Sequence, residues 1–333
     1  MYEDTKRELQ DLGHGLWAWV QGDGSWGWSN SGLIVGEDDR VVMVDTLFTG
    51  RLTSDMLAAY RAAVPAAETI DVLVNTHSNG DHTYGNHLVK GARIIGSTAC
   101  LEEMEERPAS KVQEVIANPE AFGAYGRFFT ETMGSRFDFS DIGHLPPNET
   151  FCGTKTLEVG GRRIELTELG PAHTRGDIVI HVPDARTVYT GDLVFHGGHP
   201  IIWAGPIGNW IAACDFILDL DVDTIVPGHG AVCEKPAVQA LRDYLVSVKG
   251  QATKAYEAGL DWQEAAWEVG YDAFDSWLDR ERVVANVANI YRELSGGQVD
   301  PSREEIMAQM LRYRHGADCA HEGPCACHGS GAH

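Results

Sequence analysis

The sequence lacks long hydrophobic runs and is poor in basic residues. No apolar run approaches the ~18 residues needed to cross a bilayer, so we expect no transmembrane helix. The first residues, MYEDTKRELQDLGHG, contain no apolar segment of the kind found in secretion signals. With 26 basic and 49 acidic residues, the formal charge of −23 repels nucleic acid and anionic membrane surfaces. We therefore expect a cytoplasmic protein that binds neither nucleic acid nor membranes.

Cysteine is also sparse, with seven scattered residues in the 333-residue chain. An odd number without a secretion signal favours reduced thiols over a disulfide framework. Cys319, Cys325 and Cys327 lie in the last segment, residues 316–333, beside two histidines. Two interpretations of this tail stay open. Its low apolar content predicts no fixed fold, whereas its Cys and His residues could bind zinc, although not with standard finger spacing.

Hydrophobic residues make up 43% and charged residues 23%, which is typical of a globular protein. Short apolar runs between glycine- and aspartate-rich turns predict β-strands, and residues 52–64 and 236–314 have helical patterns. The alternation of strand, helix and strand predicts an α/β fold rather than a pure β-sandwich. The predicted strands cover residues 15–20, 31–36, 41–45, 71–75, 92–96, 155–159, 163–166, 177–182, 187–190 and 224–226.

A cluster of metal-binding residue types follows the predicted strand 71–75. It reads His77-Ser-Asn79-Gly-Asp81-His82, and a predicted helix follows it at residues 85–90. Loops at the carboxyl ends of strands project their side chains into a shared crevice. Imidazole and carboxylate groups are common ligands of zinc and similar cations. A lone histidine is usually a surface or core residue, but this cluster predicts a metal site.

Three single residues occupy similar positions further along the chain. His173 lies in the segment GPAHTRGD, Asp192 ends a predicted Thr-Gly-Asp turn, and His229 lies in Pro-Gly-His-Gly. Glycine or proline flanks each of them, which suits tight turns that present a side chain at close range. Each segment alone is a weak signal, but all of them in this order indicate one site.

The order of these segments resembles the metallo-β-lactamase superfamily, and the likeness covers residues 14–250. The resemblance implies an α/β fold, a four-layer αββα sandwich of two mixed β-sheets flanked by helices. It also implies one catalytic domain over residues 1–315. That domain would include a helical and aromatic insertion at 101–150 and C-terminal helices at 236–315.

The resemblance further implies two neighbouring metal positions. The implied ligands are His77, Asn79 and His173 for the first position, Asp81, His82 and His229 for the second, and Asp192 for both. These donors suit zinc, with iron and manganese as alternatives. In this family one or two divalent cations activate a water molecule for attack. Asp81 would be the catalytic residue that holds and orients this water.

Asn79 departs from the family pattern, which usually has histidine there. An amide oxygen is a weaker, neutral ligand, so the first position should lose metal affinity while the second keeps its full set. Three interpretations stay open: an enzyme with two metals and a loose first one, an enzyme with a single metal at the second position, and a non-catalytic relative.

Asp192 stands where zinc β-lactamases commonly have cysteine, and in this respect the chain resembles glyoxalase II, lactonase and thioesterase relatives. We therefore expect hydrolysis of an ester, thioester, lactone or related bond in a small organic molecule. A metal-dependent lyase or cyclase of secondary metabolism and a non-catalytic ligand-binding protein remain as alternatives. The sequence leaves open whether the chain forms a homo-oligomer.

Several side chains are candidates for binding this substrate. Trp26 and Trp28 lie in a glycine-rich hairpin, where they could form a flap over the metals or pack in the core. His196, His199 and Trp203 follow Asp192 closely and are expected to line the pocket. The aromatic segment 120–139 could form the opposite wall. Near the predicted ligands Arg175 is the only basic residue, so a strongly anionic substrate is not expected.

Overall fold

The computed structural model describes residues 6–316 and contains two mixed β-sheets. The seven-stranded sheet has the order β1 to β7, antiparallel up to β4 and parallel from β4 to β7. The five-stranded sheet has the order β12-β11-β10-β9-β8, in which only β11 and β12 are parallel. The strands are β1 Arg7–Gly13, β2 Leu16–Gln21, β3 Ser31–Val35, β4 Val41–Val44, β5 Val72–Val74, β6 Arg93–Ser97, β7 Glu149–Phe151, β8 Thr154–Val159, β9 Arg162–Glu168, β10 Ile178–Val182, β11 Thr187–Phe195 and β12 Thr224–His229.

Helices cover the outer face of each sheet, and none of those within residues 6–316 is long and apolar enough to span a bilayer. The C-terminal helix α10 packs against α5, which belongs to the segment 101–150. The helices are α1 Gly50–Ala63, α2 Gly80–Thr83, α3 Thr98–Glu106, α4 Ser110–Ala117, α5 Gly123–Phe129, α6 Ile207–Asp219, α7 Lys235–Glu257, α8 Trp262–Glu268, α9 Val283–Leu294 and α10 Arg303–His315.

Alternation along the strands divides the apolar side chains between the two faces of each sheet. In β2, Leu16 and Ala18 point into the core between the sheets, whereas Trp19 points to the outer core under α1. The second sheet contributes residues such as Ile178 and Ile180 to the same inner core. Its outer face packs against α6 and α7, and α9 packs on these two helices. The predicted four-layer αββα architecture is therefore confirmed.

The structure corrects three details of the sequence prediction. The polar edge strands β1 and β7 were not predicted, because they lack a buried alternating pattern. The helix expected at residues 85–90 is replaced by the single turn α2 and a 3-10 turn, so α2 itself carries Asp81 and His82. The strand expected to end at residue 190 continues to Phe195, and Asp192 therefore lies within β11 rather than in a turn.

A bulge in β11 explains this last difference. The pairing of β11 with β12 shifts register at Gly191, whose φ is 49°. A Cβ atom at Gly191 would lie 2.4 Å from Thr76 Oγ1, so both the backbone conformation and the close approach require glycine. Bulges redirect the side chains that follow them. Here the bulge sets the direction of Asp192 at the end of the sheet.

The glycine-rich hairpin between β2 and β3 is packed against other parts of the chain. Trp28 contacts Phe137 with ring centroids 4.7 Å apart. Trp26 Nε1 donates a hydrogen bond to Glu281 Oε1 at 2.9 Å, and the guanidinium of Arg282 lies 4.2 Å from its ring centre. The two indoles are only 8% and 7% exposed. These contacts favour the core alternative over a free flap. The tail at residues 316–333, for which two interpretations were left open, lies beyond the described residues except for Gly316.

Replacing Trp28 with alanine should lower the free energy of unfolding by about 3–5 kcal/mol, because it leaves a cavity in the aromatic core. Thermal and denaturant unfolding measure this loss. Trp17→Ala is the matched control, since Trp17 belongs to the same hairpin but is only half-buried on β2. If Trp28→Ala is as stable as wild type but binds substrate less well, Trp28 is part of a flap and not of the core.

Candidate metal centre

The candidate ligands come together at one end of the two sheets. His77 follows β5, and Asp81 and His82 lie in the single turn α2 after it. Asp192 lies near the end of β11, and His229 is the last residue of β12. Because β11 and β12 are parallel, their carboxyl ends meet at the same edge. His173 reaches this edge from the loop between β9 and β10.

The donors of the second predicted position converge closely. His82 Nε2 lies 3.0 Å from Asp192 Oδ1, and His229 Nε2 lies 3.3 Å from Asp81 Oδ2 and 3.4 Å from Asp192 Oδ2. Within residues 6–316, the converging groups of three donors are His77 with His82 and Asp192, and Asp81 with His82 and His229. The structure thus contains a candidate His/Asp metal site.

The hydrogen bonding of these side chains fits a bound cation. His77 Nε2, His82 Nε2 and Asp192 Oδ1 are buried and form no hydrogen bond, although the last two atoms lie 3.0 Å apart as an ion pair. Such orphaned buried atoms are costly, and a divalent cation satisfies them. The opposite ring nitrogens are occupied: His77 Nδ1 lies 2.9 Å from Thr76 Oγ1, and His82 Nδ1 lies 2.9 Å from Asp45 Oδ2. This arrangement leaves Nε2 of each ring for a metal.

The first predicted metal position is arranged differently from the second. The Asn79 Nδ2 group donates a hydrogen bond to His173 Nε2 at 2.9 Å, and His173 Nδ1 donates to the Ile201 carbonyl at 2.7 Å. The Asn79 amide therefore occupies the His173 nitrogen that would bind a metal. His77 Nε2 lies 3.8 Å and His173 Nε2 3.3 Å from Asp192 Oδ2. All the predicted ligands are neighbours, but the ligands of the first metal position are less accessible to a cation than those of the second position.

Asp192 and Asp81 give the site its negative charge. Burial raises the pKa of Asp192, but the imidazoles around it outweigh burial and hold that pKa well below its usual range. Burial also opposes ionisation of Asp81, yet the hydrogen bond with His229 and the charge of His82 lower its pKa to about 2. In turn Asp192 raises the pKa of His229 to about 9 against the effect of burial. These two carboxylates therefore favour a cation among the clustered donors.

Two further aspartates support the ligands and were missed by the sequence analysis as site residues. Asp45 accepts hydrogen bonds from Thr76 and lies beside His82, so it fixes the orientation of both segments. Asp177 accepts hydrogen bonds from the Thr174 amide and hydroxyl, which holds the loop that carries His173. Burial raises the pKa of Asp177 to about 8. A single aspartate ending the apolar run 41–45 was the available signal for Asp45.

The metal centre opens into a cavity of about 350 Å³. Trp26 and Trp203 line it, as do four residues of the segment 120–139. Trp28 does not line it, and neither do His196 and His199, whose Nδ1 atoms lie near the carbonyls of Ala231 and Leu278. The aromatic lining residues are Trp26, Phe48, Tyr84, Tyr125, Phe128, Phe129, Phe195 and Trp203.

The expectation that Arg175 is the only basic residue near the site is wrong. Arg175 pairs with Glu103 and Glu106 and does not line the cavity, whereas four other basic residues do. They come from the segment 101–150 and from the C-terminal helices, which are far from the ligands in sequence. The basic lining residues are Arg107, Lys111, Arg282 and Arg303.

The sequence is similar to those of several known proteins. The chain is 29% identical to the 2,4-dinitroanisole O-demethylase subunit alpha of Nocardioides sp., over 69% of this chain and 61% of that protein. It therefore spans less than two thirds of that relative. It is 23% identical to a human acyl-coenzyme A thioesterase, over 60% of this chain and 72% of that protein. With hydroxyacylglutathione hydrolase of Brucella anthropi it shares 24% identity, over 53% and 55% of the two chains.

Solved structures show the same fold at low sequence identity. A sec-alkylsulfatase from Pseudomonas sp. superposes with a TM-score of 0.64 at 15% identity, covering 89% of this chain and 52% of the sulfatase. A metallo-beta-lactamase from Pontibacter korlensis gives 0.55 at 16% identity, covering 72% and 99% of the two chains. The sequence profile of the metallo-beta-lactamase superfamily matches residues 24–229, well over half of the chain. The chain therefore belongs to the metallo-beta-lactamase superfamily and has the fold of its hydrolases.

Proposed function

We propose that this protein hydrolyses an ester, thioester, lactone or related bond in a small organic molecule that carries apolar or aromatic groups. The observation that carries the proposal is the meeting of buried, unpartnered His and Asp donors with a cavity walled by aromatic side chains. Relatives named as a thioesterase and as hydroxyacylglutathione hydrolase support a hydrolase of acyl compounds.

Asp81, His82, His229 and Asp192 would hold the tighter cation, for which zinc is our proposal because imidazole and carboxylate donors suit it. A divalent cation there supplies a Lewis acid and makes a coordinated water more acidic. The Asn79 amide already occupies His173, so we propose that the first position binds its cation weakly.

The chain's own residues then provide orientation and exclude water. Asp81 is partly open to the cavity, with Oδ2 3.3 Å from His229 Nε2, and can accept a hydrogen bond from the attacking water and orient it. Asp45 keeps the His82 ring in place through Nδ1. The aromatic walls displace solvent around the substrate, which strengthens electrostatic interactions inside the cavity.

Cleavage of an aryl methyl ether is a second candidate reaction. It is suggested by the relative named as an O-demethylase, which matches 69% of this chain. The aromatic lining of the cavity suits such a substrate equally well. A panel containing nitrophenyl esters, an acyl thioester, an aryl lactone and a nitroanisole separates the two reactions by which compound is turned over.

Turnover of this panel should depend on metal, and chelation should abolish it. Asp192→Asn should reduce activity by at least about 100-fold and lower the metal content, because Asp192 contacts the donors of both positions. Elemental analysis and initial rates measure these effects. Asp223→Asn is the control, since Asp223 is an exposed partner of Arg186. Full activity in the metal-free protein would refute the proposal.

Asn79→His should raise the metal content towards two equivalents, because imidazole is a better ligand than an amide and frees His173 for the metal. Competitive chelator titration should then show tighter binding of the weaker cation. Asn79→Ala, which removes the hydrogen bond without adding a ligand, is the control and should not gain this tight step. Identical titrations of wild type and Asn79→His would exclude residue 79 as a ligand position.

A further inference from the structure

Arg303 stands at a position that helix formation does not explain. It is the first residue of α10, directly after the capping residue Ser302. The helix dipole favours negative charge in the first turn, and Glu304 and Glu305 follow that rule. A positive charge at this position is therefore unfavourable for α10 itself. The cavity that Arg303 lines offers a different reason for its presence.

The guanidinium of Arg303 is held by aromatic faces and not by a carboxylate. It lies 4.5 Å from the ring centre of Trp203 and 5.7 Å from that of Tyr125. Within residues 6–316 its side chain forms no hydrogen bond or ion pair, although the chain has 49 acidic residues. The carboxylate of Glu103 lines the same cavity, but it accepts a hydrogen bond from Ser78 and forms an ion pair with Arg175. A guanidinium held by aromatic faces can direct its N–H edge to a ligand.

A second unpaired cation adds to this positive charge. Arg107 lines the same cavity, and its side chain forms no hydrogen bond or ion pair with any residue in 6–316. Arg303 and Arg107 are both exposed residues, and the crowding of the Arg303 guanidinium by its surroundings, together with the nearby charge of Arg107, lowers the pKa of Arg303. Two like charges that face one cavity without acidic partners repel each other. A bound anion would relieve this repulsion.

This cationic end of the cavity adjoins the metal centre. The backbone N–H of Trp203, on which Arg303 rests, donates a hydrogen bond to the carbonyl of His173 at 2.9 Å. Tyr84, which follows the turn that carries Asp81, lines the same cavity as Arg303. A single small molecule in a cavity of about 350 Å³ can therefore contact both groups.

From this arrangement we infer that the substrate carries a carboxylate, which binds to the free edge of the Arg303 guanidinium beside the rings of Trp203 and Tyr125. The inference rests on the proposed function, because it assigns one end of the substrate of that site. A carboxylate matches the planar fork of arginine, and the flanking rings suit a planar aromatic acid. Arg107 strengthens the binding through its charge.

Calorimetric titration of the purified, metal-containing protein with naphthoate and with naphthamide tests this inference. The two probes have the same ring system and differ in charge. Wild type should bind the acid at least about ten-fold more tightly than the amide, as expected for a charge-assisted pair. Arg303→Gln should lose this preference, and Arg303→Lys, which keeps the charge but not the fork, should retain part of it.

Arg312→Gln is the matched control, because Arg312 is an exposed residue of the same helix outside the cavity, and it should keep the full preference. Melting curves establish whether Arg303→Gln is folded. If it is not, Arg303→Lys decides in its place, and a preference equal to that of wild type in this variant would overturn the role of the guanidinium fork. Equal binding of acid and amide by wild type, or an unchanged preference in folded Arg303→Gln, would overturn the inference. Because the readout is binding, an inactive protein that still selects the acid contradicts only the proposed hydrolase.

Discussion

The burial of the Asp192 carboxylate among imidazole rings is the constraint on which this structure depends. Its oxygens lie within 3.0–3.8 Å of the Nε2 atoms of four histidines, which reach it from three different segments of the chain. A buried carboxylate is tolerated only where positive charge or a metal compensates it. The bulge at Gly191, the single turn α2 and the loop after β9 all serve to assemble this one group of donors.

The metal ligands could be found in the sequence because each follows an apolar strand or lies between turn residues. His77 and His229 are examples, since a strand pattern ends beside each of them. Their order along the chain then identified the family, and the four-layer fold followed from it. The position of Asp192 within a strand was missed because Thr-Gly-Asp is a typical turn sequence. A bulge satisfies the same local preference without ending the strand.

The walls of the cavity could not be predicted in the same way. Arg107 and Arg303 are nearly two hundred positions apart, and nothing in the local pattern of either shows that α10 packs against α5. Asp45 was overlooked for a related reason. It follows β4, whereas its partner His82 lies in the turn after β5. Residues that act through long-range packing leave no periodic signal. The polar groups that hold the ligands and shape the substrate site therefore become visible only in three dimensions.

The attachment of the β2–β3 hairpin to residues 279–282, directly before α9, has a consequence for the newly made chain. Ser25 Oγ donates a hydrogen bond to Asp279, Trp26 Nε1 donates one to Glu281, and Arg282 lies over the Trp26 ring. During synthesis the hairpin leaves the ribosome more than two hundred and fifty residues before these partners. All the metal ligands have been synthesised by His229, whereas this wall of the cavity also needs residues 279–282. The residues that bind the metal are therefore all present before the residues that enclose them have been made.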